Sequence, residues 1–180
     1  MFRQQRGFTL PEVLLTLAVI GVGLAAVMAA IPFGAFGVQE GRQLSTAAFL
    51  ADQGLEQARS VPWTGSPAND CLGVSASSTA APAVPAAAAC AYGAASVGAG
   101  GALPWFADEG SAAIAGFPGY TRQVRVTDCG VGGGCGGVTD AALRLATVTV
   151  TYTPLAITSG PGGVAPAPKT VAVAMLISRR

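Results

Sequence analysis

The chain contains no histidine and only four cysteines, and 11% of its 180 residues are charged. Without histidine it lacks the commonest general base, the commonest metal ligand and every Ser/His or Cys/His nucleophile pair. A basic face for nucleic acid is missing too. Ten Lys and Arg stand against nine Asp and Glu, and two of the cations, Arg3 and Arg6, fall in the first seven residues. The remaining eight cations face nine acids, so no nucleic-acid partner is expected. What abounds is apolar: 51% of the chain is hydrophobic, too much for a freely soluble protein unless part of it lies in a membrane. The length suits one domain with a modest core.

The apolar surplus is concentrated near the N-terminus. Val13 to Ile31 is interrupted only by Thr16 and holds 19 positions, about 28 Å of helix at about 1.5 Å per residue. That matches a bilayer core of about 30 Å and exceeds the core of an ordinary signal peptide. Arg3 and Arg6 precede it, which keeps the N-terminus cytoplasmic and places everything after Pro32 outside. The four cysteines, Cys71, Cys90, Cys129 and Cys135, all lie on that exported side, where two disulfides are expected. Thr9-Leu10-Pro11-Glu12 reads as a helix start, with Thr9 as N-cap, Glu12 reaching back as a capping box and Pro11 in the first turn. As a carboxylate beside an apolar span, Glu12 also calls for a partner.

Pro32, Gly34 and Gly37 predict a break in the helix near Pro32. Helical periodicity then returns from Glu40 to Val61, where Leu44, Ala47, Ala48, Ala51, Leu55 and Ala58 form one stripe that wants a sheet to cover, and Phe49 falls on the polar side. Residues 62 to 118 are rich in Ala, Gly, Pro and Ser, with an Ala/Pro run from Thr79 to Ala89, and predict a long irregular loop pinned by Trp63, Trp105 and Phe106. Strands come late. Tyr120, Val124 and Val126 alternate with Thr121, Gln123, Arg125 and Thr127; a second strand runs from Leu143 to Thr153, with a bulge or late start near Ala146 because Leu143 and Leu145 have the other parity. The third, Thr170 to Ile177, is apolar on both parities and predicts the best-covered strand. Pro154 to Pro168 reads as a surface loop.

The remaining motifs give no catalytic set. Cys129-Gly-Val-Gly-Gly-Gly-Cys135 fits a small disulfide loop better than a metal site, since without histidine only the four irregularly spaced cysteines could complete a zinc set. Chain order favours Cys71 with Cys90 and Cys129 with Cys135 among the three possible pairings. The pattern G-x-G-x-x-G at 132–137 is compositional, because a strand rather than a helix follows it. Asp128 and Asp140 flank this loop without a calcium-binding spacing.

Gly7-Phe8-Thr9-Leu10-Pro11-Glu12 followed by the apolar run resembles a type IV prepilin or type II secretion pseudopilin, and Ala48 to Gln57 resembles the helix of PilV-type minor pilins. Pro11 stands where those families carry an aliphatic residue. The resemblance implies cleavage between Gly7 and Phe8 by a membrane prepilin peptidase, N-methylation of Phe8, and extraction into a filament whose core is made of N-terminal helices. It also implies partners: other pilins or pseudopilins, an inner-membrane assembly platform, and the lipid bilayer before assembly.

The expected fold is α+β and pilin-like, a long N-terminal helix packed on a small antiparallel sheet with a long irregular loop. Residues 1–7 are the leader, 8–61 the helix and 62–180 the exported head. No cofactor and no metal are expected, and the chain is no enzyme. Thr9 and Glu12 are the assembly residues, Glu12 pairing with the amine that cleavage creates on Phe8. The reading is a minor pilin of a type IV pilus, in the inner membrane with a periplasmic head and then in a filament that reaches the cell surface. The alternatives are a type II secretion pseudopilin, or an exported enzyme or binding protein with an ordinary signal peptide cleaved near Val27-Met28-Ala29.

Overall fold

A computed structural model describes residues 8–85, 90, 106–154 and 167–180, leaving aside the side chains of Pro32 and Phe33. The leader with Gly7, Trp105 and most of the Pro154–Pro168 connection lie outside the described residues. One helix, α1 (Leu10–Ser60), is followed by five strands: β1 (Val74–Ser75), β2 (Pro82–Ala83), β3 (Tyr120–Asp128), β4 (Leu143–Tyr152) and β5 (Lys169–Ser178). β1 and β2 form a small antiparallel hairpin, and β3-β4-β5 form an antiparallel meander in chain order. The architecture is α+β and pilin-like. The chain divides into two compact units, Met1–Gly41 and Arg42–Arg180.

In the first unit α1 is helical without a gap through Pro32, Gly34 and Gly37, so the expected break does not interrupt it. A proline removes one amide from the ladder, here the donor to the Met28 carbonyl. The apolar turns on either side keep their own hydrogen bonds, and helices of this composition tolerate such a loss.

The second unit owes its core to the remaining turns of α1. Ala47, Leu50, Ala51, Leu55 and Ala58 are buried together with Val124 and Val126 of β3 and Ala146, Val148 and Val150 of β4. Leu44, predicted in this stripe, is half exposed; it precedes the first buried residue, Ala47, by nearly one turn. Leu50 and Gly54 take its place inside. At Gly54 helix and sheet approach closely: a Cβ there would stand 2.9 Å from Val148 Cγ1. Phe49 is 58% exposed, yet its ring centroid lies 6.4 Å from that of Phe117. Phe117 meets Tyr120 edge-on, and Tyr120 stacks at a tilt on buried Tyr152.

β4 has no bulge. It pairs residue for residue with both neighbours, from Leu143↔Ser178 and Arg144↔Asp128 to Tyr152↔Lys169 and Tyr152↔Tyr120. The parity that Leu143 and Leu145 follow is the outer face, and Arg144 holds the inner position. β5 is not the best-covered strand. Ile177 is its one buried residue, because β5 ends the meander and pairs, among the described residues, with β4 alone.

Candidate functional site

The N-terminal residues that carry the sequence motif lie at the start of α1. The Thr9 carbonyl accepts hydrogen bonds from the Glu12 and Val13 amides at 3.0 and 3.2 Å and closes the first turn. Pro11 fits there because its missing amide has no partner within the helix to lose. A capping box is absent: among the described residues neither the Thr9 hydroxyl nor the Glu12 carboxylate makes a side-chain hydrogen bond or ion pair. Glu12 sits in the first turn, where the positive end of the helix dipole favours a carboxylate. One turn before it, Phe8 is 80% exposed.

Beyond Glu12 the helix is apolar on every side. Leu14, Leu15, Leu17, Val19, Ile20 and Val22 are all more than half exposed, and at about 100° per residue they point in different directions around the axis. Thr16, the polar exception in Val13–Ile31, turns its hydroxyl onto the Val13 carbonyl at 2.9 Å, so it brings no unmet group into the run. Glu12 is the sole charge between Phe8 and Gln39. A helix of this length and composition is able to cross a membrane, and one apolar all round must be covered by lipid or by other helices.

Residues 2–28 match the family model described as the prokaryotic N-terminal methylation motif. The N-terminal segment is that of a type IV prepilin-like protein. No curated protein and no solved structure was found to match the chain. The motif belongs to structural, pilin-type chains, and it implies processing of the prepilin-like protein by prepilin peptidase and assembly with other pilins. With the apolar α1 it fits a membrane-anchored pilin.

The head of the prepilin-like protein holds two disulfides, Cys71–Cys90 and Cys129–Cys135, the pairing that chain order favours. The second closes a loop on which glycine is obligatory at one point: Gly134 has φ +70°, and a Cβ there would lie 2.2 Å from the Val138 carbonyl oxygen. The carboxylates beside this loop serve local turns. Asp128 accepts from the Gly130 amide at 2.8 Å and Asp140 from the Ala142 amide at 2.7 Å.

Two buried arginines escaped the sequence reading. Arg144 donates to both carboxylate oxygens of Asp70 at 2.6 and 2.7 Å, and its guanidinium lies 4.4 Å from the Trp63 ring centroid. Arg122 pairs with Glu109 and donates to the Leu50 carbonyl of α1 and to Gln53. The signal was parity: Arg122 shares a face with Val124 and Val126, and Arg144 with Ala146 and Val148. Neither arginine completes a reactive set; each ties a loop to the sheet.

Proposed function

We propose that the chain is a minor pilin of a type IV pilus. It enters the inner membrane through α1 with its N-terminus cytoplasmic and its head periplasmic. Prepilin peptidase cuts between Gly7 and Phe8, Phe8 is N-methylated, and the assembly platform then moves α1 from lipid into a filament of pilins. The observation that carries this reading is Glu12, the one charge between Phe8 and Gln39 in the exposed apolar turns of α1, with no partner among the described residues, one turn from the residue on which cleavage frees a cationic amine. In an apolar filament core a carboxylate and an ammonium attract far more strongly than in water, and either alone is penalised. Glu12 therefore sets the axial position at which a subunit is accepted, whether the amine it meets is its own or a neighbour's. Thr9 supplies the carbonyl that opens the helix between them.

Mass spectrometry of the mature protein is expected to show an N-methylated Phe8 terminus that depends on prepilin peptidase; a terminus near Ala30 would overturn the reading. The secretion pseudopilin uses the same helix chemistry and differs in where it ends up. Co-purification with sheared pili is expected of the minor pilin, and confinement to the periplasm together with dependence of protein secretion on the chain would establish the pseudopilin instead.

A further inference from the structure

A cavity of about 300 Å³ opens on the head beyond the last turn of α1, among Trp63, Thr64, Ser66, Asp128, Arg144 and Arg179. That volume lies at the lower end of the range for small-molecule sites. Every one of these side chains carries a hydrogen-bonding group, so the walls suit a polar guest. Part of the wall is fixed from behind by other contacts. Arg144 is buried, forks onto both oxygens of Asp70, donates to the Gly73 carbonyl at 3.2 Å and lies against the Trp63 ring.

Arg179 is exposed, yet its main chain is tied on both sides. Its amide donates to the Ala142 carbonyl at 2.8 Å, and the Arg180 amide donates to the Trp63 carbonyl at 3.1 Å. The Arg179 guanidinium lies against Gly65, where a Cβ would stand 2.8 Å from Nη1; the missing side chain makes the room it occupies. Asp128 uses Oδ1 to accept from the Gly130 amide, and its Oδ2 has no partner among the described residues. Arg179 and Asp128 are thus opposite charges on one cavity, but among the described residues neither forms an ion pair. A guest that accepts from one and donates to the other satisfies both. A carboxylate or phosphate suits Arg179 and faces Asp128 as a like charge, and an amine does the reverse. Hydroxyl groups donate and accept without charge, and a sugar ring presents several of them on neighbouring carbons.

We propose that this cavity binds a neutral sugar, one ring of a saccharide, with one ring hydroxyl donating to Asp128 Oδ2 and another accepting from the Arg179 guanidinium. The Thr64 and Ser66 hydroxyls supply further partners at the rim. Arg144 keeps its charge matched by Asp70 and serves as rigid wall. The site goes beyond filament assembly and stands independently of the pilin reading, since all its residues belong to the head.

Saturation-transfer NMR on the full chain, held in a sugar-free polyoxyethylene detergent, tests this with glucose, galactose, mannose and N-acetylglucosamine as probes and with acetate and glycine as anionic and zwitterionic counterparts. At least one of the four sugars is expected to bind. Its affinity is expected to fall about tenfold or more in Arg179→Ala and in Asp128→Asn, which keeps an oxygen for the Gly130 amide. Gly65→Ala keeps both charges but shifts the Arg179 guanidinium, and is expected to weaken binding as well; Arg42→Ala, on α1, is expected to leave it unchanged. Thermal melts of each variant beside the wild type separate loss of the site from loss of the fold. No signal from any of the four sugars, binding of acetate or glycine in their place, or a sugar held equally well by Arg179→Ala and Asp128→Asn overturns the proposal. N-terminal mass spectrometry of the same preparations reports leader processing, so a processed chain that binds no sugar sinks this inference and leaves the pilin reading standing.

Discussion

Arg144 and Arg125 both pair with aspartate, and their surroundings decide how much each pair contributes. Arg144 is buried, its Nε has no hydrogen-bond partner among the described residues, and the Trp63 face covers the guanidinium. Asp70 supplies its whole counter-charge. Asp70→Ala leaves that cation uncompensated in the interior and is expected to cost about 3 to 5 kcal/mol of head stability. Asp108 is 44% exposed, so its removal strips Arg125 of a screened partner and is expected to cost at most about 1 kcal/mol. Urea denaturation of the two variants side by side checks the ranking, and an equal loss would show that burial does not separate the pairs.

At the scale of elements, the contact of α1 with the sheet is set by what is missing at Gly54. Val148 opposite is β-branched and cannot swing aside within its strand, so any added side chain must displace the helix. Gly54→Val is expected to destabilise the head by about 1 to 3 kcal/mol through overpacking. Gly41, which has nothing within 4 Å of a built Cβ, is expected to accept Gly41→Ala with a gain of up to about 1 kcal/mol from helix propensity. Thermal melts of both variants should move in opposite directions. The elements themselves were readable from periodicity: α1 from its apolar run and alanine stripe, β3 from its alternation, and the meander from three strands in succession. Order within the sheet was not. β5 has the composition of a covered strand, yet composition carries no information about which strand ends a sheet. The alternation in β4 was misread near Ala146 because Arg144 occupies an inner position that polarity assigns to the outside. The N-terminal motif was legible in full, since Gly7 to Glu12 is local chemistry. The partner proposed for Glu12 was not, because in that reading it is created only by cleavage or supplied by another chain.

The whole molecule joins an apolar anchor with one charge to a head whose buried charges, Asp70, Arg122 and Arg144, are all paired. Glu12→Gln preserves shape and helix propensity and removes that charge; it is expected to leave leader cleavage intact while reducing incorporation into filaments by an order of magnitude or more, about the effect of losing 1.4 kcal/mol or more per subunit contact. Immunoblots of processed protein and of sheared filaments separate the two steps, and normal incorporation would reduce Glu12 to a helix-start residue. The inward arginines carry a further consequence for how the head finds its strand alignment. Leu143, Leu145 and Leu176 put apolar side chains on the outer face at one end of the sheet, so there apolar pattern alone tells the two faces apart poorly. A slip of β4 by one residue would turn Arg144 outward and abandon Asp70, and the same error in β3 would separate Arg122 from Glu109 and from the helix carbonyl it caps. The two ion pairs thus work as a checksum on strand alignment, rejecting mispaired sheets that greasy side chains would have tolerated.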